Sequence, residues 1–153
     1  MTAPTKTASP AFAATSGQLA TFRLDGDLYG VEVEHVQEVL KSQGLTRVPL
    51  APPAVAGLIN LRGQVVTAIE LRERLGRPPR PEGTDAVVIV VRLHGEAVSL
   101  LVDSIADVVD VEAKDFEAPP DTLDGQAREL IRGAYKLDGQ LLLALDVQKA
   151  VSA

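Results

Sequence analysis

"GLINLRGQVV", residues 57–66, is an apolar strand-like run that breaks at Asn60-Leu61-Arg62-Gly63 and then resumes. Two residues of the form X-Gly between apolar runs read as a tight hairpin turn, and the X position of that turn needs a positive φ. Asn, Asp or Gly is the ordinary occupant, because other side chains are strained there. Arg62 is therefore a poor choice for the turn alone. The same device recurs at RLDG (23–26), RLHG (92–95) and KLDG (136–139), each a polar residue, Leu, X and Gly between strand-like runs. The spacing of the turns is irregular, which reads as a shared hairpin habit and not as a sequence repeat.

The flanking runs supply the strands. LYGVEVE (28–34) alternates, with Tyr29, Val31 and Val33 on one face and Glu32 and Glu34 on the other, which predicts a strand with one wet side. AVVIVV (86–91) and LLLAL (141–145) are continuous apolar runs suited to strands buried on both faces. AVSLLV (97–102) and DVVDV (107–111) add further strand. Helical signals are short. In HVQEVLK, Val36, Val39 and Leu40 fall at helical spacing and predict a short helix over Val36–Leu40. IELRERLG (69–76) ends on Gly76 as a C-cap, with Pro78 beyond it, and DVQKAV (146–151) opens on Asp146 as an N-cap. Many short strands with few helices point to small barrels or a sandwich. The Pro-rich segment RPPRPEG (77–83) falls between two sets of hairpins and predicts two small barrels, one on either side of it.

The chain has 153 residues, enough for one domain with a sizeable core. It is 46% hydrophobic but only 3% aromatic with no Trp, so the core must be built from Val, Leu, Ile and Ala. The absence of Cys excludes disulfides, thiolate metal sites and cysteine nucleophiles. No run of eighteen apolar residues suggests a membrane-spanning helix, so direct membrane insertion is not expected. Residues 1–17 are rich in Ala, Thr, Ser and Pro, lack the pattern of a signal peptide and read as a disordered tail before a domain at 18–151. A net charge of −6 argues against nucleic acid or an anionic membrane as partner. The basic cluster Arg72, Arg74, Arg77 and Arg80 reads as a solvated helix end and linker.

Catalytic signals are missing. His35 and His94 have no motif around them, and a turn His tolerates left-handed backbone. HExxH, GxSxG and P-loop patterns are absent. HGEAVSLLVDSIADV (94–108) resembles the catalytic strand of a small aspartic protease, with Asp103-Ser104 in place. Ile105, however, stands where that family needs a Gly to bring two carboxylates together. The residues point to a binding module without catalytic activity or cofactor.

Four segments then carry a resemblance: YGVEVEHVQEVL (29–40), TRVPLAPPAVAGLINLRGQVVTAIELRERLG (46–76), LLVDSIADVVDV (100–111) and LIRGAYKLDGQLLLALDVQKAV (130–151). In this order they resemble the CheW family of chemotaxis coupling proteins over residues 18–151. The resemblance implies a mainly β fold of two side-by-side, five-stranded SH3-like barrels with a few short helices. It implies a scaffold that couples transmembrane chemoreceptors to a cytoplasmic histidine autokinase in chemotaxis signal transduction. The implied partners are the helical-hairpin tip of the receptor and the kinase's regulatory domain, which has a similar fold. The implied location is cytoplasmic, at receptor arrays. Gly57, Asn60, Arg62 and Gly63 match the motif that lines the receptor-docking region between the barrels, and Val36 and Glu38 match positions near the receptor. An ion pair between Glu38 and Arg62 is expected, fixing a planar, always charged donor fork at the turn. The motif is shared by adaptors of non-flagellar chemosensory pathways that control pili or surface sensing, which is the alternative reading. A degenerate protease is a distant one, and an oligonucleotide-binding barrel is opposed by the acidic charge and the lack of aromatic platforms.

Overall fold

The computed structural model describes residues 17–41, 44–123 and 125–152. Residues 1–16 of the expected tail lie outside the described residues, and Gly17 opens the first strand. In chain order the first half contains β1 (Gly17–Leu24), β2 (Asp27–Glu32), β3 (Val36–Lys41), β4 (Leu45–Thr46), β5 (Val55–Leu61), β6 (Gln64–Glu70) and α1 (Leu71–Arg74). The second contains β7 (Val87–Leu93), β8 (Glu96–Val102), β9 (Ser104–Val111), β10 (Phe116–Glu117), α2 (Gly125–Leu130), β11 (Ile131–Leu137), β12 (Gln140–Leu145) and α3 (Val147–Val151).

Each Leu-X-Gly stretch closes a two-residue hairpin, at β1–β2, β5–β6, β7–β8 and β11–β12. Asp25, Arg62 and His94 take φ of 52°, 51° and 51°, and the glycines after them 88°, 84° and 83°. Two successive positive φ values give the mirror-image turn whose twist matches the flanking strands.

Two local expectations are corrected. Val36–Leu40 belongs to β3, not to a helix, and pairs antiparallel with β7. Val36 and Val39 are β-branched and fit a pleated surface better than a helix turn. LYGVEVE has no wet side along β2: Leu28, Tyr29, Gly30 and Val31 are all buried, and Val33 leaves the strand for a 3-10 turn at Val33–His35. The helix α2 has no counterpart among the sequence signals; it forms because Ala127 and Leu130 find buried places.

The strands form two six-stranded sheets, ordered β10-β11-β12-β2-β1-β9 and β3-β7-β8-β6-β5-β4. The fold is mainly β with two barrel-like units. Among the described residues each sheet counts six strands and not five, because the two-residue strands β4 and β10 add an edge, and neither hydrogen-bond ring closes.

The Pro-rich connection does not separate one barrel from the other. Hairpin β1–β2 joins β9–β12, while hairpin β7–β8 joins β3–β6, so each sheet takes strands from both halves of the chain. The hairpins also form a structural repeat, with few sequence identities. Val55–Leu75 laid on Ile131–Val151 without a gap matches Gly57 with Gly133, Leu61 with Leu137, Gly63 with Gly139, Gln64 with Gln140 and Ala68 with Ala144. The register agrees: Thr67 faces Val98 as Leu143 faces Tyr29, and Val36 faces Val91 as Ile105 faces Phe22. Gly57 and Gly133 are required for the same reason. A Cβ on Gly57 would lie 2.3 Å from the Thr46 carbonyl oxygen, and one on Gly133 would lie 2.5 Å from that of Glu117.

This interleaving explains the continuous apolar runs. Val88 and Val90 of β7 face the inside of the second sheet, whereas Ile89 and Val91 face a central core shared by both sheets. On β12, Leu142 and Ala144 face the inside of the first sheet and Leu143 and Leu145 the central core. Phe22 and Tyr29 stack in that centre with ring centroids 5.8 Å apart. Burial on both faces removes the polar half of the usual alternation.

Candidate functional site

Arg62 sits at the first turn position of β5–β6, held there by Asn60, whose Oδ1 accepts the Gly63 N–H at 2.9 Å. An Asn side chain that closes on the backbone in this way stabilises the turn that the arginine would otherwise strain. The Arg62 guanidinium then reaches Glu38 on β3 in a two-pronged ion pair: NH1 donates to Oε2 at 2.6 Å and NH2 to Oε1 at 2.6 Å. Gln37 Nε2 donates to the same carboxylate at 3.4 Å. The hydrogen bonds from Arg62 hold the Glu38 carboxyl below the usual carboxylate range, and Glu38 raises the Arg62 guanidinium in return. The Arg62 side chain is 73% exposed and that of Glu38 17% exposed, so the acid is covered and the cation faces outward.

In the sheet, β3 and β5 are separated by β7, β8 and β6. A direct contact between Glu38 and the β5–β6 turn therefore means that the sheet curls until its edge meets the hairpin, and the ion pair spans that seam. Among the described residues the sister sheet has no ion pair at the matching place. Asp107 on β9 takes the position of Glu38, and Asp138 in the β11–β12 turn takes that of Arg62. Two carboxylates cannot form an ion pair, and the first sheet has the same register.

The structure thus brings Glu38, Asn60, Arg62 and Gly63 together. Gly57 stands further along β5 against β4, and Val36 is half-buried against the central core. All six residues belong to the second sheet and its turns, on one unit and not shared between two. The groove of about 600 Å³ lined by Arg23, Leu28, Leu75, Leu123 and Leu141 contains none of them. Exposed apolar residues of this sheet include Val39, next to Glu38 in the chain but on the other face of β3, and Val65, opposite Asn60; Leu50, in the turn between β4 and β5, is fully exposed at a φ of 65°. A leucine in a loop carries no sequence signal, so Leu50 stands out only through its exposure and its left-handed backbone angle.

A second polar cluster was read wrongly from sequence. Arg72, Arg77 and Arg80 are not a solvated basic patch. Asp103, between β8 and β9, accepts Arg72 Nε at 2.9 Å, Arg72 NH2 at 2.6 Å, Arg80 Nε at 3.2 Å and the Asp25 backbone N–H at 2.8 Å. Arg80 also forks onto Glu70 at 2.8 and 3.2 Å, and Arg77 bonds Asp27 and the Tyr29 hydroxyl. Arg74 donates to the Ala150 and Lys149 carbonyls at the end of α3. Partial burial pushes the Asp103 carboxyl up, but hydrogen bonds from Arg72 and the Asp25 amide, with the charges of Arg72 and Arg80, outweigh it and hold it down to about 2. A carboxylate saturated in this way is committed to its donors and has no oxygen left to share a proton with a second acid, as protease chemistry requires.

The model of the CheW-like domain matches residues 18–153. A chemotaxis protein CheW of Treponema pallidum (strain Nichols) is 31% identical over 140 residues, spanning 89% of this chain and 82% of the relative. One of Bacillus subtilis (strain 168) is 30% identical over 132 residues, spanning 86% and 85%. The crystal structure of scaffolding protein TtCheW from Thermoanaerobacter tengcongensis superposes with a TM-score of 0.76 at 28% identity, covering 86% of this chain and 90% of that one.

Proposed function

The chain belongs to the CheW-like domain family of chemotaxis scaffolds, and from that membership we propose that it is a non-catalytic adaptor coupling transmembrane chemoreceptors to a cytoplasmic histidine autokinase. The observation that supports this most is the seam pair. Glu38 and Arg62 present a fixed guanidinium fork, exposed on the second sheet, whose β5–β6 hairpin also exposes Val65. An oriented fork on a hairpin that also exposes an apolar side chain suits the mixed apolar and polar face of a receptor's helical-hairpin tip. Val36, Gly57, Asn60 and Gly63 set the strand and turn that carry it.

A second feature supports an adaptor with two partners. Val108 and Leu141 of the first sheet stand at the positions of Val39 and Val65 in the second, and all four are exposed. One rigid body with two related apolar surfaces can bind a receptor on one and a kinase domain of similar fold on the other. Weak contacts of this kind add through effective concentration in an array. Among the described residues no helix is long and apolar enough to cross a membrane; in this reading the receptor is what holds the chain at the membrane. The test is co-sedimentation with receptor-bearing membranes, with and without the kinase. The wild-type chain should pellet with receptors and bring kinase with it. Failure to pellet in either condition would end this reading.

A further inference from the structure

The exchange of hairpins between the two halves has a consequence for association with a second copy of this chain. Residues 17–76 supply β1–β2 to one sheet and β3–β6 to the other, and residues 87–151 complete both. Only the segment 77–86 joins them. If the second half came from another molecule, every strand pairing and every central-core contact between halves would be made again in identical form. The contacts peculiar to the single-chain form are those that fold the connection back. Arg80 grips Glu70 at 2.8 and 3.2 Å, and Arg72 NH1 donates to the Pro78 carbonyl at 2.8 Å. Thr84 closes a turn on the Pro81 carbonyl through its hydroxyl at 2.6 Å and its N–H at 3.3 Å, with Gly83 at a φ of 84°. Exchange of identical elements through a hinge is a low-cost route to a dimer, since only the hinge differs.

We propose that two copies of this chain form a dimer by exchanging halves through residues 77–86, and that the Arg80–Glu70 grip with the Pro81–Thr84 turn is the latch that keeps the chain monomeric. The partner is a second copy, and the inference stands apart from the receptor–kinase reading.

The chain has no Cys, so single labels are clean. Gln18 on β1 and Asp110 on β9 are exposed Cα partners from opposite halves. Chains carrying only Gln18→Cys and chains carrying only Asp110→Cys are mixed, unfolded, refolded together at high concentration and oxidised. The same is done with Arg80→Gln or Gly83→Val added to both. The expected result is a disulfide-linked pair of unlike chains, several-fold more abundant with either latch variant, in a species of twice the monomer mass by light scattering. A control pair, Gln18→Cys with Glu96→Cys, sets the level of chance linkage. Linkage at that level in every background overturns the exchange. Linkage above it but equal with and without the latch variants overturns the latch. If Arg80→Gln does not refold, Gly83→Val carries the test, because its side chain meets nothing within 4 Å and opposes only the turn.

Discussion

Arg62 occupies a left-handed turn position that suits Asn, and its guanidinium is fixed on Glu38. Arg62→Ala keeps the Cβ that strains this turn position, so it should leave the melting curve almost unmoved while reducing receptor co-sedimentation sharply. Arg62→Lys should lose nearly as much, because an ammonium cannot reproduce the two-pronged contact with Glu38. The charge swap Glu38→Arg with Arg62→Glu should recover part of the loss seen in either single variant, measured as a double-mutant cycle on receptor binding; strictly additive losses would separate the two residues. The neighbouring glycines should behave differently from each other. Gly57→Ala drives a Cβ into the Thr46 carbonyl and should cost about 2–3 kcal/mol in denaturant unfolding. Gly63 has open space around it, so Gly63→Asn should be tolerated while Gly63→Val should cost ~1–3 kcal/mol from its φ alone. At this scale the sequence was informative where a residue conflicts with its local rule, as Arg62 does. Asp103 breaks no local rule: an acid at a strand end is ordinary, and the arginines that saturate it stand far away in the chain.

Among the elements, α1 and the connection after it owe their placement to that acid. Arg72 has only 8% of its side chain exposed, so Asp103→Ala would leave a buried guanidinium short of its main partner and should destabilise by about 3 kcal/mol. The pair also sets an acid limit. The Asp103 carboxyl titrates near 2 in the folded chain against an ordinary 3.8, so its stabilisation is fully present above 3.8 and is lost as the pH falls through 2. The size is on the order of 2 kcal/mol. Unfolding midpoints followed from pH 5 downward should therefore fall less steeply in Asp103→Asn than in the wild type. Elements were legible in proportion to how local their cause is. The apolar runs of β7 and β12, the hairpin turns and the Asp146 cap were readable because the signal lies within a few residues. The strand β3 was not, since Val36, Val39 and Leu40 satisfy helical spacing and only pairing with β7 decides the matter. Strands β4 and β10 are two residues long, too short for any period to show.

For the molecule as a whole, the two sheets cannot unfold separately, because each contains strands of both halves and both contribute to the central core. Fluorescent probes at Glu96 in the second sheet and Asp138 in the first should report a single, coincident denaturant transition; two midpoints would show that the sheets are independent. The resemblance named two barrels correctly, but the hairpin exchange was hidden, since few identities mark the repeat and nothing local says which half a strand will join. The same interleaving has a consequence for synthesis. Neither sheet can be finished from the first half, and the first sheet waits for β12, whose last residue is Leu145. At typical ribosome speeds the β1–β2 hairpin precedes that strand by about 10 s. Through that interval Phe22, Leu24, Tyr29 and Val31 are outside the tunnel without the layer that will cover them. For this chain the nascent polypeptide, more than the released one, is the form that chaperones and proteases meet with its core open.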